Sequence, residues 1–192
     1  MVNKLKEKYD NPFDIIIYKI IDTQLYTLYI YNVTPNMLTT LSLISWIISA
    51  YYFYNDNFTL AVLFYFLSYY FDCADGKMAR KYNMVTQFGD YYDHINDALK
   101  TIIFIIIMFI KSKKKFIKVI VVLIIFVFLL FVFINCQEKI YNKNNESLWL
   151  NKFNINIFNK QSCIKNMNVL RYFGPGTIIF IQLIIIALWK YI

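Results

Sequence analysis

Asp72-Cys73-Ala74-Asp75-Gly76-Lys77-Met78-Ala79-Arg80, followed after eight residues by Gly89-Asp90-Tyr91-Tyr92-Asp93-His94-Ile95-Asn96-Asp97, decides how this chain is read. Five carboxylates fall within 26 residues of a chain that is 59% hydrophobic, with long apolar runs on either side. Acidic groups at membrane depth are costly unless something compensates them, so they mark a functional site by default. On a helix, Asp72 and Asp75 share a face, as do Asp93 and Asp97 on the next helix. A single acidic pair at this spacing is ordinarily a solvated face. Two pairs on facing helices make a cage for hard divalent cations, which prefer oxygen ligands.

The residues fit D-x2-D-G-x2-A-R-x8-G-x3-D-x3-D, with Asp72, Asp75, Gly76, Ala79, Arg80, Gly89, Asp93 and Asp97 at all eight fixed positions. In this the chain resembles the CDP-alcohol phosphotransferase family, closely over residues 72–97 and more loosely over 11–97. The resemblance implies a membrane-embedded transferase that binds divalent metal, releases CMP and pairs as a homodimer.

Composition agrees with a membrane protein. The chain has 192 residues, 20% aromatic and 17% charged, too apolar and too interrupted for an ordinary soluble domain. The expected fold is all-α, a polytopic membrane bundle of about five to six transmembrane helices in one domain, residues 1–192. The net charge of +8 suits juxtamembrane lysines meeting anionic lipid or an anionic substrate. No nucleic-acid partner is expected, because no basic helix or aromatic platform stands outside the apolar runs. Cys73, Cys136 and Cys163 are odd in number and widely spaced, indicating neither a disulfide framework nor a zinc site.

Residues 1–10 are charged and lead into no cleavage site, so no signal peptide is expected. Residues 11–30 mix Ile15, Ile17, Ile21 and Leu25 with Asp14, Lys19 and Asp22, the pattern of an amphipathic helix in the membrane interface, entered at Pro12. Asn11-Pro12-Phe13-Asp14 resembles the family's usual opening of such a helix. Thr34-Pro35-Asn36 is a helix-start signal and, with Thr39, resembles the opening of the family's first span near the nucleotide site.

The first span is expected over residues 37–54. The apolar run 58–71 has only 14 residues, so its helix must continue through Asp72 to Arg80. A polar link, 81–87, precedes a third helix over 88–110; residues 34–110 form the catalytic core. Lys111 to Lys115 reads as a basic turn, 116–134 as a fourth span, 136–168 as a polar loop carrying an interfacial helix, and 172–191 as the last span. Five spans result where the family usually has six, unless the segment 148–157 substitutes for part of the missing one. Lys4, Lys6 and Lys8, with Lys77, Arg80 and Lys81, favour a site facing the cytosol, where CDP-linked substrates reside in the family. The Lys111 to Lys115 cluster then lands on the other side, against the positive-inside tendency.

Phosphoryl transfer needs charge neutralised and oxygens positioned rather than covalent help from the protein. Two divalent ions, Mg²⁺ or Mn²⁺, about 3.5–4 Å apart can clamp a pyrophosphate and activate a nucleophile. Asp72, Asp75 and Asp93 are the expected metal ligands; by resemblance Asp97 joins them or takes the acceptor's proton. Gly76 and Gly89 allow close approach of backbone and nucleotide, or of a neighbouring helix. With Ala79 they complete the expected donor-binding set, in which the Arg80 fork holds a phosphate and Lys77 either assists or snorkels.

His94, the chain's single histidine, lies four residues after Asp90, so a carboxylate can orient its imidazole as a general base. Gly-acid-x-x-Asp-His resembles the choline and ethanolamine phosphotransferases, with Asp90 where that branch has glutamate. Ile95 and Ala98 depart from that branch, and Thr86-x-Phe88-Gly89 resembles the phosphatidylglycerophosphate synthases instead. The favoured reaction passes phosphocholine or phosphoethanolamine from the CDP-alcohol to diacylglycerol. The alternatives are transfer from CDP-diacylglycerol to a polar alcohol, or an inactive scaffold. A transporter would not require Gly76, Ala79 and Arg80 at these intervals, and a prenyl-transferring synthase lacks this linker between its acidic pairs.

Overall fold

A computed structural model describes residues 9–141 and 159–192. Among these residues the chain is helical, with no strand: α1 (Pro12–Ile30), α2 (Pro35–Tyr54), α3 (Phe58–Lys81), α4 (Gln87–Lys111), α5 (Lys113–Tyr141), α6 (Lys160–Leu170), a 3-10 turn (Arg171–Phe173) and α7 (Pro175–Leu188). Lys4, Lys6, Lys8 and the segment 148–157 lie outside the described residues.

The helix boundaries follow from short polar residues at both kinds of end. Asn11, Thr34, Asn57, Thr86 and Asn159 each cap a helix start, their side-chain oxygens accepting from the backbone N–H of Phe13, Met37, Leu60, Gly89 and Ser162. At the other ends of α1, α2 and α3, Asn32, Asp56 and Asn83 take positive φ of 55°, 60° and 55°. The next N–H then reaches back over the final turn: Val33 to Leu28 O at 3.0 Å, Asn57 to Tyr52 O at 2.9 Å and Met84 to Ala79 O at 2.8 Å. Asn and Asp tolerate this left-handed turn better than other side chains, so it ends three helices without glycine.

The α2–α3 pair is the closest seam. Ser42 Oγ donates to Ser68 O at 2.9 Å and Ser49 Oγ to Ala61 O at 2.7 Å, all four residues being buried. In lipid no hydrophobic force draws helices together, so small residues and interhelical hydrogen bonds carry the association. The α1 stripe Ile17, Ile21 and Leu25 is buried on this pair against Leu38, Ala74 and Met78, beneath the acidic residues. A second core, around Trp46, Phe53, Phe104, Met108 and Trp189, fills the opposite half.

Pro35–Tyr54, Lys113–Gln137 and Lys160–Leu188 are long and apolar enough to cross a membrane. The helices α3 and α4 match them in length, with 24 and 25 residues, but carry the acidic and basic groups of the site. The basic turn expected at 111–115 is much shorter: α4 ends at Lys111 and α5 begins at Lys113, leaving Ser112 alone between them. The cysteine reading is corrected outright. Cys136 and Cys163 form a disulfide with Cα atoms 5.2 Å apart, joining the end of α5 to α6, and Cys73 is free. The two are 27 residues apart and fit no local motif, so only the packing of α6 on α5 brings them together.

The start of α1 is locked to α7. Asn11 Nδ2 donates to Arg171 O at 2.9 Å and to Thr177 Oγ1 at 2.7 Å, and Tyr69 donates to the buried Asp14 carboxylate. Gly176 lies against this cluster: a Cβ there would run into Asp14 Oδ1 and sit 2.8 Å from Tyr69 Oη.

Candidate functional site

The site lies where the C-terminal half of α3 meets the first turns of α4, backed by α2. Thr86 fixes the start of α4, its Oγ1 accepting from Gly89 N at 3.0 Å. Gly89 lets that start approach α2, since a Cβ there would stand 3.0 Å from Asn36 Oδ1. Tyr92 and Thr40 are hydrogen-bonded across the same two helices at 3.1 Å.

Asp72 from α3 and Asp93 and Asp97 from α4 present carboxylate oxygens all within 4.8 Å of one another. Asp72 and Asp93 are partly buried and Asp97 is exposed, so the cluster opens outward. Asp75 stands one turn deeper. It is 5% exposed and its Oδ2 accepts from Thr39 Oγ1 at 2.6 Å, outside the three-carboxylate cluster.

Lys100, which the sequence reading did not single out, completes the site. Its Nζ donates to Asp72 Oδ1 at 2.8 Å, Ser42 Oγ at 2.9 Å and Asp97 Oδ1 at 3.2 Å. The ammonium contacts two of the three clustered carboxylates, Asp72 and Asp97, and so binds the two helices at the cluster. This all-oxygen donor set fits a hard divalent cation, and the ammonium already marks where positive charge is accommodated. Asn96, one turn before Lys100 and 2% exposed, has an Nδ2 with no hydrogen-bond partner among the described residues.

The other expected residues divide into two groups. Arg80 lies over the bare face of Gly76, its Nη1 3.1 Å from where a Cβ would be, so its guanidinium stays at the α3 end of the site. Ala79 contributes its carbonyl to the turn that ends α3. Lys77 points the other way: Nζ donates to Tyr18 O at 2.8 Å and pairs with Asp22, tying α3 to α1. His94 is exposed, and the carboxylate near its Nδ1 is that of Asp93, at 4.0 Å. Asp90 is exposed on the first turn of α4, and no hydrogen bond or ion pair between it and His94 is present among the described residues.

Comparison with known proteins identifies a family. The CDP-alcohol phosphatidyltransferase family matches residues 32–189, taking in every element from α2 to α7. An uncharacterized protein of Aquifex aeolicus (strain VF5) is 36% identical over 67 residues, covering 35% of this chain and 34% of that protein. The matched stretch is thus about a third of that relative's length. No solved structure matches. With the family match spanning most of the chain, and three carboxylates of its signature gathered at one helix pair, the chain belongs to the CDP-alcohol phosphatidyltransferase family, an integral-membrane helical group.

Proposed function

We propose that this protein is a divalent-metal-dependent transferase that moves a phospho-alcohol group from a CDP-alcohol to an acceptor hydroxyl, with CMP leaving. The carrying observation is the meeting of Asp72, Asp93 and Asp97 within 4.8 Å at the open end of the α3–α4 pair. Mg²⁺ or Mn²⁺, two ions by analogy with other sites of this chemistry, would supply charge neutralisation at the donor's pyrophosphate. Asp72, Asp93 and Asp97 hold the metal in this reading, and Asp75, steadied by Thr39, completes the ligand set from below.

The donor's phosphates lie toward Arg80, whose fork suits a phosphate oxygen pair, with Gly76, Ala79 and Gly89 leaving the approach clear. Lys77 serves this end indirectly, by holding α3 on α1. Lys100 orients Asp72 and Asp97. The acceptor's hydroxyl proton goes to Asp97, which is 55% exposed at its side chain and therefore reachable. His94 is the second candidate for that proton, with Asp90 as the group that would orient it when substrate draws the first turns of α4 together.

Phosphocholine or phosphoethanolamine transfer to diacylglycerol is the favoured version, supported by the Gly-acid-x-x-Asp-His order of Gly89, Asp90, Asp93 and His94. The Thr86-x-Phe88-Gly89 order supports the other version, transfer from CDP-diacylglycerol to a polar alcohol. In either, one domain carries the reaction, pairs with a second copy in the membrane and turns its carboxylate end to the cytosol.

The test is CMP release by purified protein supplied with CDP-choline, CDP-ethanolamine or CDP-diacylglycerol and the matching acceptor. Turnover with one donor class names the branch. A folded protein that turns over none of them, with Mg²⁺ or Mn²⁺ present, contradicts the transferase reading in favour of a scaffold.

A further inference from the structure

The end of the bundle remote from the carboxylates holds a cleft of about 620 Å³, bordered by Asp56, Lys111, Ser112, Lys115, Trp189 and Lys190. Along α3, Phe58 at this end and Asp72 at the other are separated by about 21 Å at 1.5 Å per residue. The cleft is therefore a separate place from the metal cluster, and nothing in the proposed transfer reaction uses it.

Its charge is unbalanced. Lys111 is spent within the fold: its side chain is 8% exposed, and Nζ contacts Asp56 Oδ1 at 2.7 Å and Tyr54 O at 2.8 Å. Lys115 has carbonyl partners and, among the described residues, no carboxylate, with Nζ 2.6 Å from Trp189 O and 3.2 Å from Lys190 O. Lys190 is exposed and forms no ion pair among the described residues. The carbonyls that end a helix carry about half a negative charge together, too little to cancel Lys115. Among the described residues, three ammonium groups thus border the cleft against one carboxylate.

The candidate spans share this end of the bundle. Each of the three segments able to cross a membrane ends here: Pro35–Tyr54 at its last residue, Lys113–Gln137 at its first and Lys160–Leu188 at its last. The cleft consequently lies at a boundary between hydrocarbon and water. Ile110, Ile117 and Leu188, all exposed, continue from it along the apolar flank. A ligand suited to this place has an anionic phosphate at the boundary and hydrocarbon running down the bundle.

We propose that this cleft binds the phosphate head group of an anionic phospholipid, with Lys115 and Lys190 holding the charge, Lys111 braced by Asp56 behind them, and Trp189 forming the wall. This gives the lysine cluster a role that does not depend on which side of the membrane it faces.

The experiment is native mass spectrometry of the purified protein in detergent, titrated with phosphatidylglycerol, phosphatidylcholine or inorganic phosphate. Phosphatidylglycerol should bind in preference to the other two. At about 1 kcal/mol per basic residue near the surface, Lys115→Gln with Lys190→Gln should weaken it about 30-fold. Lys113→Gln with Lys114→Gln removes the same charge from exposed residues of the same turn outside the cleft, and should leave binding near wild type. Lys190→Gln alone, at an exposed position, should weaken binding about five-fold and serves if the double variant does not fold. Equal losses from both pairs, no loss from the cleft variants, phosphatidylcholine bound as tightly, or displacement of the lipid by inorganic phosphate would each overturn the proposal.

Discussion

Lys100 Nζ lies 2.8 Å from Asp72 Oδ1, an ion pair that joins α4 to α3 at the mouth of the acidic cluster. The lysine side chain is 11% exposed and that of Asp72 30%, so the pair is sheltered but not sealed. In the absence of divalent ions this ammonium is what keeps Asp72 and Asp97 together.

Replacing Lys100 by Met should therefore destabilise the metal-free protein by about 1–2 kcal/mol, less than a fully buried pair loses because Asp97 is half exposed. Mg²⁺ should restore the variant more than it stabilises wild type, since the ion takes over the missing charge. Melting curves in detergent with EDTA and with Mg²⁺ measure both effects. Equal loss with and without Mg²⁺ would show that Lys100 acts only as a packing group.

Thr39→Val keeps the shape of the side chain and removes the donor to Asp75. A buried carboxylate that loses such a hydrogen bond should lower stability by about 1.5–3 kcal/mol. If Asp75 also serves the metal, CMP release should require several-fold more Mg²⁺ for half-maximal rate. An unchanged Mg²⁺ requirement would leave Asp75 with a structural role only.

Gly176→Ala places a methyl group against Asp14, Tyr69 and Asn11 where α1, α3 and α7 meet. Overpacking of this kind costs about 1–3 kcal/mol. Gly76→Ala meets only the tip of the Arg80 side chain, which can swing away, so its melting temperature should stay near wild type. The two melting temperatures, measured side by side, check the contrast.

Reducing the Cys136–Cys163 disulfide frees a 27-residue separation between its ends. The chain-entropy relation gives about 3.5 kcal/mol for a loop of this size. Cys136→Ser should accordingly melt lower than wild type under oxidising conditions and be indifferent to dithiothreitol, whereas wild type should fall to meet it. A wild type equally stable with and without reductant would mean that the bond contributes little.

The acidic pairs were legible in the sequence because helical spacing and a strict signature are local properties. So were the amphipathic stripe of α1 and the Thr34 cap. The partners of those carboxylates were not. Lys100 stands at the edge of an apolar run, with no local pattern to mark it; only the packing of α3 and α4 on α2 brings it to Ser42 and to Asp72, 28 residues away. Asp75 finds Thr39 across 36 residues, and Cys136 finds Cys163 across 27. Lys77, adjacent to the signature glycine, reads as a site residue, yet its face of α3 is the one covered by α1 and Asp22. His94 and Asp90 satisfy helical spacing, but both are exposed on α4, and among the described residues no hydrogen bond or ion pair joins them.

If Asp72, Asp93 and Asp97 hold the metal on which CMP release depends, losing one of them must cost activity. The most direct measurement is the rate of CMP formation from the productive CDP-alcohol as Mn²⁺ is titrated, in wild type, Asp93→Asn and His94→Ala. Wild type should show a saturable Mn²⁺ requirement, and Asp93→Asn should lose at least about 100-fold, since losing a ligand should exceed the 10–100-fold cost of outer-shell changes. His94→Ala should change far less, with the proton passing to Asp97. Full activity in Asp93→Asn, or turnover indifferent to Mn²⁺ and EDTA, would contradict this metal site.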